Sequence, residues 1–130
     1  MNDNEWRTFF QLAANILGAG AAWAQASKSW CSWTTFPRLS DDAGYWTGGL
    51  PSLADIADTN IRDGGVRIQP FSYSELAHLI VPSRFLWESA PGPNYVSGIR
   101  EQDINALSEQ LSAVGIGHRL TNLVLEIKLY

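Results

Sequence analysis

Residues 99–130 constrain the fold most, because the hydrophobic period changes once along this C-terminal third. Apolar residues first recur at steps of three and four, which places them on one helical face: Ile104, Leu107, Leu111 and Val114. Gly115 follows, where a left-handed residue commonly ends a helix. From Leu123 every second residue is apolar, and the two faces of the predicted strand alternate up to Tyr130. Such a strand needs a neighbouring strand and a covering layer, so these residues predict a structural scaffold.

The N-terminal residues predict a second amphipathic helix. Asn2 and Glu5 have the spacing of a capping box, and an apolar stripe runs from Trp6 to Leu17. A further capping pair, Ser72 with Glu75, predicts a helix that carries Leu76, Leu79 and Ile80.

Between the terminal helices the sequence predicts short strands separated by loops. The segments are strands at 28–36, 66–69 and 84–87, a short helix at 51–57, a turn at Asp63 and Gly64, and loops at 38–51 and 88–98. The 130 residues therefore predict one α+β domain spanning 1–130. Its small, mainly antiparallel sheet is covered by an N-terminal and a C-terminal helix, and its final strand lies at the C-terminus.

Composition and charge favour a protein partner over nucleic acid. The chain is 45% hydrophobic and carries a net charge of −4. Lys28 and Lys128 are the only lysines and the arginines are dispersed, whereas phosphate backbones require clustered basic residues. An acidic surface suits a basic protein partner.

Cys31 is the only cysteine, so no disulfide can form within the chain, and this favours a cytoplasmic location. Residues 12–24 resemble the apolar core of a signal peptide, but Asp3 and Glu5 precede them where positive charge is expected. The run is also too short for a membrane span. We therefore expect neither export nor membrane association.

Catalytic and metal-binding motifs are weak in this sequence. Cys31 with His78 or His118 has the residue types of a nucleophile and a base, but a cysteine in an apolar strand is usually a buried hydrophobic residue. The two histidines are too far apart in sequence for a local metal motif. Gly48 and Gly49 lack the lysine of a phosphate-binding loop. No catalytic residue, metal or cofactor is predicted.

The predicted loop at 38–51 places aromatic residues among carboxylates. Trp and Tyr bury large areas at little entropic cost, and interfaces use them as anchors. We expect contact with a partner through six residues: Asp41, Asp42, Tyr45, Trp46, Asp55 and Asp58. The alternative for Trp46 is that it folds back onto the core.

The order of segments resembles that of a family of small bacterial domains of unknown function. The matching pieces are residues 45–51, 66–70, 81–82, 102–114 and 123–130. This resemblance implies no catalytic residue. In size, charge and lack of a catalytic motif, the chain also resembles immunity proteins of bacterial toxin–immunity pairs, which block a cognate toxin by direct binding.

These features predict a non-enzymatic bacterial protein-binding module that neutralises a toxin, with a basic toxin domain as partner. Two alternatives remain open. The first is a small enzyme or ligand-binding domain with a pocket near His78 or His118. The second is a homodimer formed through the aromatic loop or through an exposed edge of the C-terminal strand.

Overall fold

A computed structural model describes residues 1–62, 70–89 and 92–130. The predictions for Asp63, Gly64 and residues 66–69 lie outside these ranges. In chain order, the described helices and strands are α1 (Asp3–Leu17), β1 (Cys31–Thr35), α2 (Phe36–Asp41), β2 (Trp46–Gly48), β3 (Asn60–Ile61), β4 (Phe71–Ser72), β5 (Leu76–Pro82), β6 (Arg84–Ser89), β7 (Val96–Glu101), α3 (Ile104–Ala113), β8 (Arg119–Leu120) and β9 (Val124–Lys128). Short 3₁₀ turns lie at Ala24–Ala26, Leu53–Asp55 and Tyr73–Glu75.

The predicted α+β class is confirmed. The main described sheet has five antiparallel strands in the order β2-β1-β5-β9-β8. The pairs β3–β4 and β6–β7 form two smaller sheets. Because β9 pairs with both β5 and β8, the C-terminal strand is interior, and the outer strands of the main sheet are β2 and β8.

Strand alternation gives the main sheet two chemically different faces. On the core face, Trp46, Trp33, Leu79 and Ile127 stand opposite one another across four strands. This face packs with α1 and α3 in one hydrophobic core. On the other, which we call the polar face, one row contains Thr34, His78 and Lys128, and the next contains Ser32, Ile80 and Glu126.

The N-terminal helix begins as its sequence predicts. The Asn2 side chain accepts a hydrogen bond from the Glu5 N–H at 2.8 Å, and the Glu5 carboxylate accepts one from the Asn2 N–H at 3.1 Å. Asp103 caps α3 by accepting the Ala106 N–H at 3.0 Å. Gly115, which follows α3, has the predicted positive φ of 76°.

The helix predicted after Ser72 is wrong. Only the turn Tyr73–Glu75 is helical, and the chain continues directly into β5, the middle strand of the sheet. Residues 76–81 are nearly all buried, so their apolar run has no clear strand alternation. Pairing with β1 and β9 supplies backbone hydrogen bonds on both sides of the segment, and these stabilise a strand over the predicted helix.

The loop predicted at 38–51 is also wrong in part, because it contains most of α2 and all of β2. Thr35 caps α2 by accepting the Arg38 N–H at 3.3 Å, and Pro37 occupies the first turn of the helix. Pro37 therefore begins a helix in addition to ending a strand. The second predicted loop, at 88–98, is shorter than expected because β6 extends to Ser89 and β7 begins at Val96.

Two side chains attach the β6–β7 hairpin region to the rest of the domain. The Gln102 amide bridges two segments: its oxygen accepts the Trp30 N–H, and its nitrogen donates to the carbonyls of Trp30 and Pro82, each at 2.9 Å. The Arg100 guanidinium donates to three carbonyls around the 3₁₀ turn Ala24–Ala26, at 2.6–2.9 Å. The Gln102 bonds position the start of β1 against the end of β5, and the Arg100 bonds attach the 3₁₀ turn to β7.

Within the described ranges, none of the helices combines the length and the apolar character that a membrane span requires.

Gly20 and Gly49 allow two backbone segments to touch. A Cβ at Gly49 would collide with the Ala21 nitrogen and the Gly20 Cα, and a Cβ at Gly20 would collide with the Leu50 carbonyl oxygen. The Gly49 N–H donates to the Ala21 oxygen at 3.1 Å across this contact. Gly49 therefore serves close packing between the end of β2 and the segment after α1.

Replacing Gly49 with alanine should destabilise the protein by about 2–3 kcal/mol, because the obstructing atoms are backbone and cannot rotate away. Urea unfolding followed by tryptophan fluorescence measures this change. The matched control is Gly117→Ala, since no atom lies within 4 Å of a Cβ there, and its effect should stay within about 0.5 kcal/mol. Equal stability of the two variants would contradict the close contact.

Candidate functional site

Tyr45 and Trp46 lie side by side in sequence but extend to opposite faces of the sheet. Trp46 lies opposite Trp33 on the core face, and their rings stack with centroids 6.2 Å apart. The Tyr45 hydroxyl instead lies 2.7 Å from Nδ1 of His78 on the polar face. The residues expected to form one contact surface are therefore divided between two places.

A groove of about 400 Å³ opens at the core-face edge of the sheet. Its apolar wall includes Trp33, Trp46 and Phe71, and its polar wall includes Arg38, Asp41, Asp42 and Glu75. Trp33 and Phe71 are buried, while Trp46 is half-buried and packs against the core. Trp46 thus meets both expectations in part, since it contacts the core and also lines an open groove.

The Arg38 guanidinium covers one side of the Trp46 ring. Its Cζ lies 4.1 Å from the ring centroid, a cation–π contact, and its Nε lies 3.3 Å from Asp42 Oδ1. A Cβ at Gly44 would lie 2.6 Å from Arg38 Nη2, so the glycine leaves room for this side chain. The turn between α2 and β2 is built around this arginine.

Asp42 is engaged within the same turn. Its Oδ1 accepts the Gly44 N–H at 2.8 Å. That bond, with a smaller contribution from Arg38, holds the pKa of Asp42 below its ordinary value of 3.8. The carboxylate is therefore ionised at neutral pH and is held by these bonds at the groove, where both Asp42 and Asp41 are exposed.

The other two predicted contact residues, Asp55 and Asp58, do not line the groove. Asp55 accepts a hydrogen bond from the Ser52 hydroxyl at 3.2 Å. Asp58 lies 3.5 Å from the guanidinium of Arg7 on α1. Both carboxylates have local partners, so the groove contains three of the six predicted residues: Asp41, Asp42 and Trp46.

A second polar group, on the polar face of the sheet, is centred on His78. Its Nε2 lies 3.0 Å from Glu126 Oε2, and its Nδ1 lies 2.7 Å from the Tyr45 hydroxyl. Arg119 binds the other carboxylate oxygen of Glu126 at 3.2 Å. Since an ionised carboxylate only accepts hydrogen bonds, this network assigns the proton of neutral His78 to Nε2, and Nδ1 accepts from Tyr45.

Two tyrosines flank the His78 ring edge-on. Their ring centroids lie 5.7 Å (Tyr45) and 6.1 Å (Tyr130) from that of His78, and their hydroxyls are 3.4 Å apart. Burial, followed by the Tyr130 hydrogen bond, raises the pKa of Tyr45 to about 12. Tyr45 is therefore a neutral phenol at pH 7.

The sequence names His78 in one of its alternatives but places it in a predicted helix, and so does not connect it with Tyr45 or Glu126. The three members of this group come from the segment before β2, from β5 and from β9, and Glu126 lies 48 positions from His78. The one available signal was Glu126 on the polar side of the alternating C-terminal strand. No local pattern identifies its partner.

The other candidate pairings separate in the structure. Cys31 is buried on the core face of β1, while His78 lies on the polar face of β5, so the sheet itself lies between them. His118 binds the Ile116 carbonyl through Nδ1 at 2.8 Å and the Ser108 hydroxyl through Nε2 at 2.6 Å. In the part of the chain that the structure describes, no group of three or more His, Cys, Asp or Glu side chains could hold a metal ion.

Comparisons with protein-family models, with curated proteins and with solved structures each find no match to this chain.

The pH dependence of stability tests the His78–Glu126 contact. The hydrogen bond from His78, and then Arg119, lowers the pKa of Glu126 from its ordinary value of 4.5. The resulting stabilisation is present above that value and is lost as the pH falls through the lower pKa of the folded state. Relative to Glu126→Gln, the natural protein should therefore lose stability in this acidic window.

Urea unfolding at a series of pH values measures the difference between the two proteins. Glu109→Gln, on the exposed side of α3, controls for the loss of one negative charge. A constant difference between the natural protein and Glu126→Gln throughout the acidic range would show that Glu126 does not have the lowered pKa.

Proposed function

We propose that this protein is a bacterial protein-binding module, and that it acts as an immunity protein that neutralises a cognate toxin by direct binding in the cytoplasm. The observation that carries the proposal is the groove, in which an indole wall stands beside three carboxylates and one arginine. In this proposal the groove receives a basic segment of the toxin and covers the toxin's active site.

The chemistry of the groove supports a basic occupant. Asp41, Asp42 and Glu75 outnumber Arg38, so the polar wall has excess negative charge. Lysine and arginine side chains combine an apolar stem with a cationic end, which suits an apolar wall next to carboxylates. The net charge of −4 would also speed association with a basic partner at low ionic strength.

Binding of this kind requires no reaction in the groove and no cofactor. Trp46 supplies the type of anchor that dominates interface energetics, since it combines a large ring with partial burial in the free protein. The Arg38 contact and the turn at Gly44 hold the anchor in place, so little conformational entropy is lost on binding.

Homodimerisation remains the alternative for the same groove. On the side away from β5, strand β9 pairs with β8 at Leu125 and Glu126, so an edge for a second copy is limited to the residues after them. Sedimentation at two protein concentrations distinguishes the cases: a constant monomer mass removes the homodimer, and a mass that rises to that of a dimer favours it.

The first test concerns the partner. The reading frames beside the gene should include a secreted toxin with a basic domain, and that domain should form a stable complex with this protein when the two are co-expressed. Co-expression should also restore growth of cells that make the toxin. A neighbouring toxin that neither binds nor is neutralised would overturn the proposal.

The second test locates the surface. In the natural complex, Trp46→Ala should weaken affinity by about 2 kcal/mol or more, roughly 30-fold, because the anchor ring is lost. Asp41→Ala with Glu75→Ala should mainly slow association and reduce its dependence on salt. Calorimetry and stopped-flow binding measure the two effects.

A matched pair of variants separates the groove from the rest of the acidic segment. Asp55→Ala with Asp58→Ala removes the same number of charges outside the groove. The comparison is with a triple variant that combines Trp46→Ala, Asp41→Ala and Asp42→Ala. If the triple variant binds normally and the Asp55/Asp58 variant binds more weakly, the contact surface lies near Arg7 and α1.

A further inference from the structure

The polar face of the sheet contains a second candidate site that is separate from the groove. In it, His78 is hydrogen-bonded to Tyr45 through one ring nitrogen and to Glu126 through the other. We propose that these residues form a nucleophilic triad in which Tyr45 attacks the phosphorus of phosphate monoesters. Tyr45 is the nucleophile, His78 is the general base, and Glu126 is the positioning residue that orients the imidazole. This activity goes beyond partner binding and uses none of the residues that line the groove.

The geometry satisfies the requirements of an activated hydroxyl. A nucleophile and its base must lie within hydrogen-bonding distance, with a third group orienting the base. Here the two distances are 2.7 Å and 3.0 Å. Because Glu126 accepts from Nε2–H, the lone pair of Nδ1 faces the Tyr45 hydroxyl and can take its proton.

The exposure of His78 and that of Tyr45 agree with the roles of base and nucleophile. His78 is only 8% exposed, and the two flanking tyrosine rings limit its contact with water. Tyr45 is 36% exposed, so its ring is accessible from solvent. Its raised pKa keeps the phenol protonated at pH 7, so attack needs a base such as His78 to accept the proton as the new bond forms.

Two cations on the same face favour an anionic substrate. Lys128 lies directly opposite His78, with its Nζ 4.7 Å from the centroid of the Tyr130 ring. Arg119 lies opposite Glu126 and binds it. Both cations and Glu126 line a cleft of about 320 Å³, while Tyr45 and His78 lie outside its lining. Arginine and lysine are the usual ligands of phosphate oxygens, so phosphate monoesters are the substrate class that fits.

The reaction balances with a phosphate monoester and water as reactants. The Tyr45 oxygen forms a bond to phosphorus while its proton moves to Nδ1 of His78, and the ester P–O bond breaks. The departing oxygen takes the proton from His78 and leaves as an alcohol. Water then attacks the phosphotyrosine with His78 as base, which releases inorganic phosphate and restores the Tyr45 hydroxyl.

The experiment uses the full chain with p-nitrophenyl phosphate as the probe. We expect slow release of p-nitrophenol, and acid quenching should trap one phosphoryl group on the peptide that contains Tyr45, as detected by mass spectrometry. Tyr45→Phe should abolish both signals. Tyr95→Phe, at an exposed tyrosine of the β6–β7 hairpin, is the matched control and should retain both.

Glu126→Gln distinguishes catalytic positioning from a structural role. A glutamine amide can donate to Nε2 and so place the proton on Nδ1, where it prevents His78 from acting as a base. Turnover should fall about a hundredfold or more. Thermal unfolding of each variant shows whether the fold persists.

Three results would overturn the proposal. They are no phosphorylated Tyr45 and no turnover in the natural protein, a label that persists in Tyr45→Phe, and folded Glu126→Gln with unchanged turnover. Each leaves the groove and its binding function untouched, because the groove variants are measured in a separate assay.

Discussion

The antiparallel pairing of β5 on both sides is the constraint on which the rest of the structure depends. This central strand pairs with β1 on one side and with β9 on the other, which fixes the register of residues distant in sequence. Once that register is set, Trp33, Leu79 and Ile127 face the helices together, and their burial contributes several kcal/mol to folding. The polar residues between them must then face the other way.

The apolar side chains of the core and the polar side chains of the His78 group consequently lie on opposite faces of one sheet. On the core face, apolar side chains complete a hydrophobic core and leave Trp46 at its margin, where the groove opens. On the polar face, His78 is buried without being in that core, and its two nitrogens are satisfied by Tyr45 and Glu126. A buried imidazole without such partners would carry a desolvation cost of about 1–3 kcal/mol, so the network is also part of what makes this strand stable.

The sequence correctly predicts features that depend on residues close together along the chain. Its predictions fail where the structure of a segment is determined by pairing with strands that are distant in sequence. The capping box at Asn2, the left-handed Gly115 and the alternation around Leu125 and Ile127 are local, and all three are confirmed. The segment after Ser72 carries an equally good local helix signal, but pairing along both sides overrides it. The Tyr45–His78 contact spans 33 positions, and no periodicity encodes a contact of that kind.

Strand β2 and the residue before it place one aromatic side chain at each candidate site, Trp46 at the groove and Tyr45 beside His78. Because the faces of a strand alternate with every residue, a slip of one residue in the pairing of this segment with β1 would move each ring to the opposite face of the sheet. Substitutions in this segment can therefore vary one site at a time, whereas a change in its length alters both at once. We expect natural variation around β2 to conserve length more strictly than residue identity.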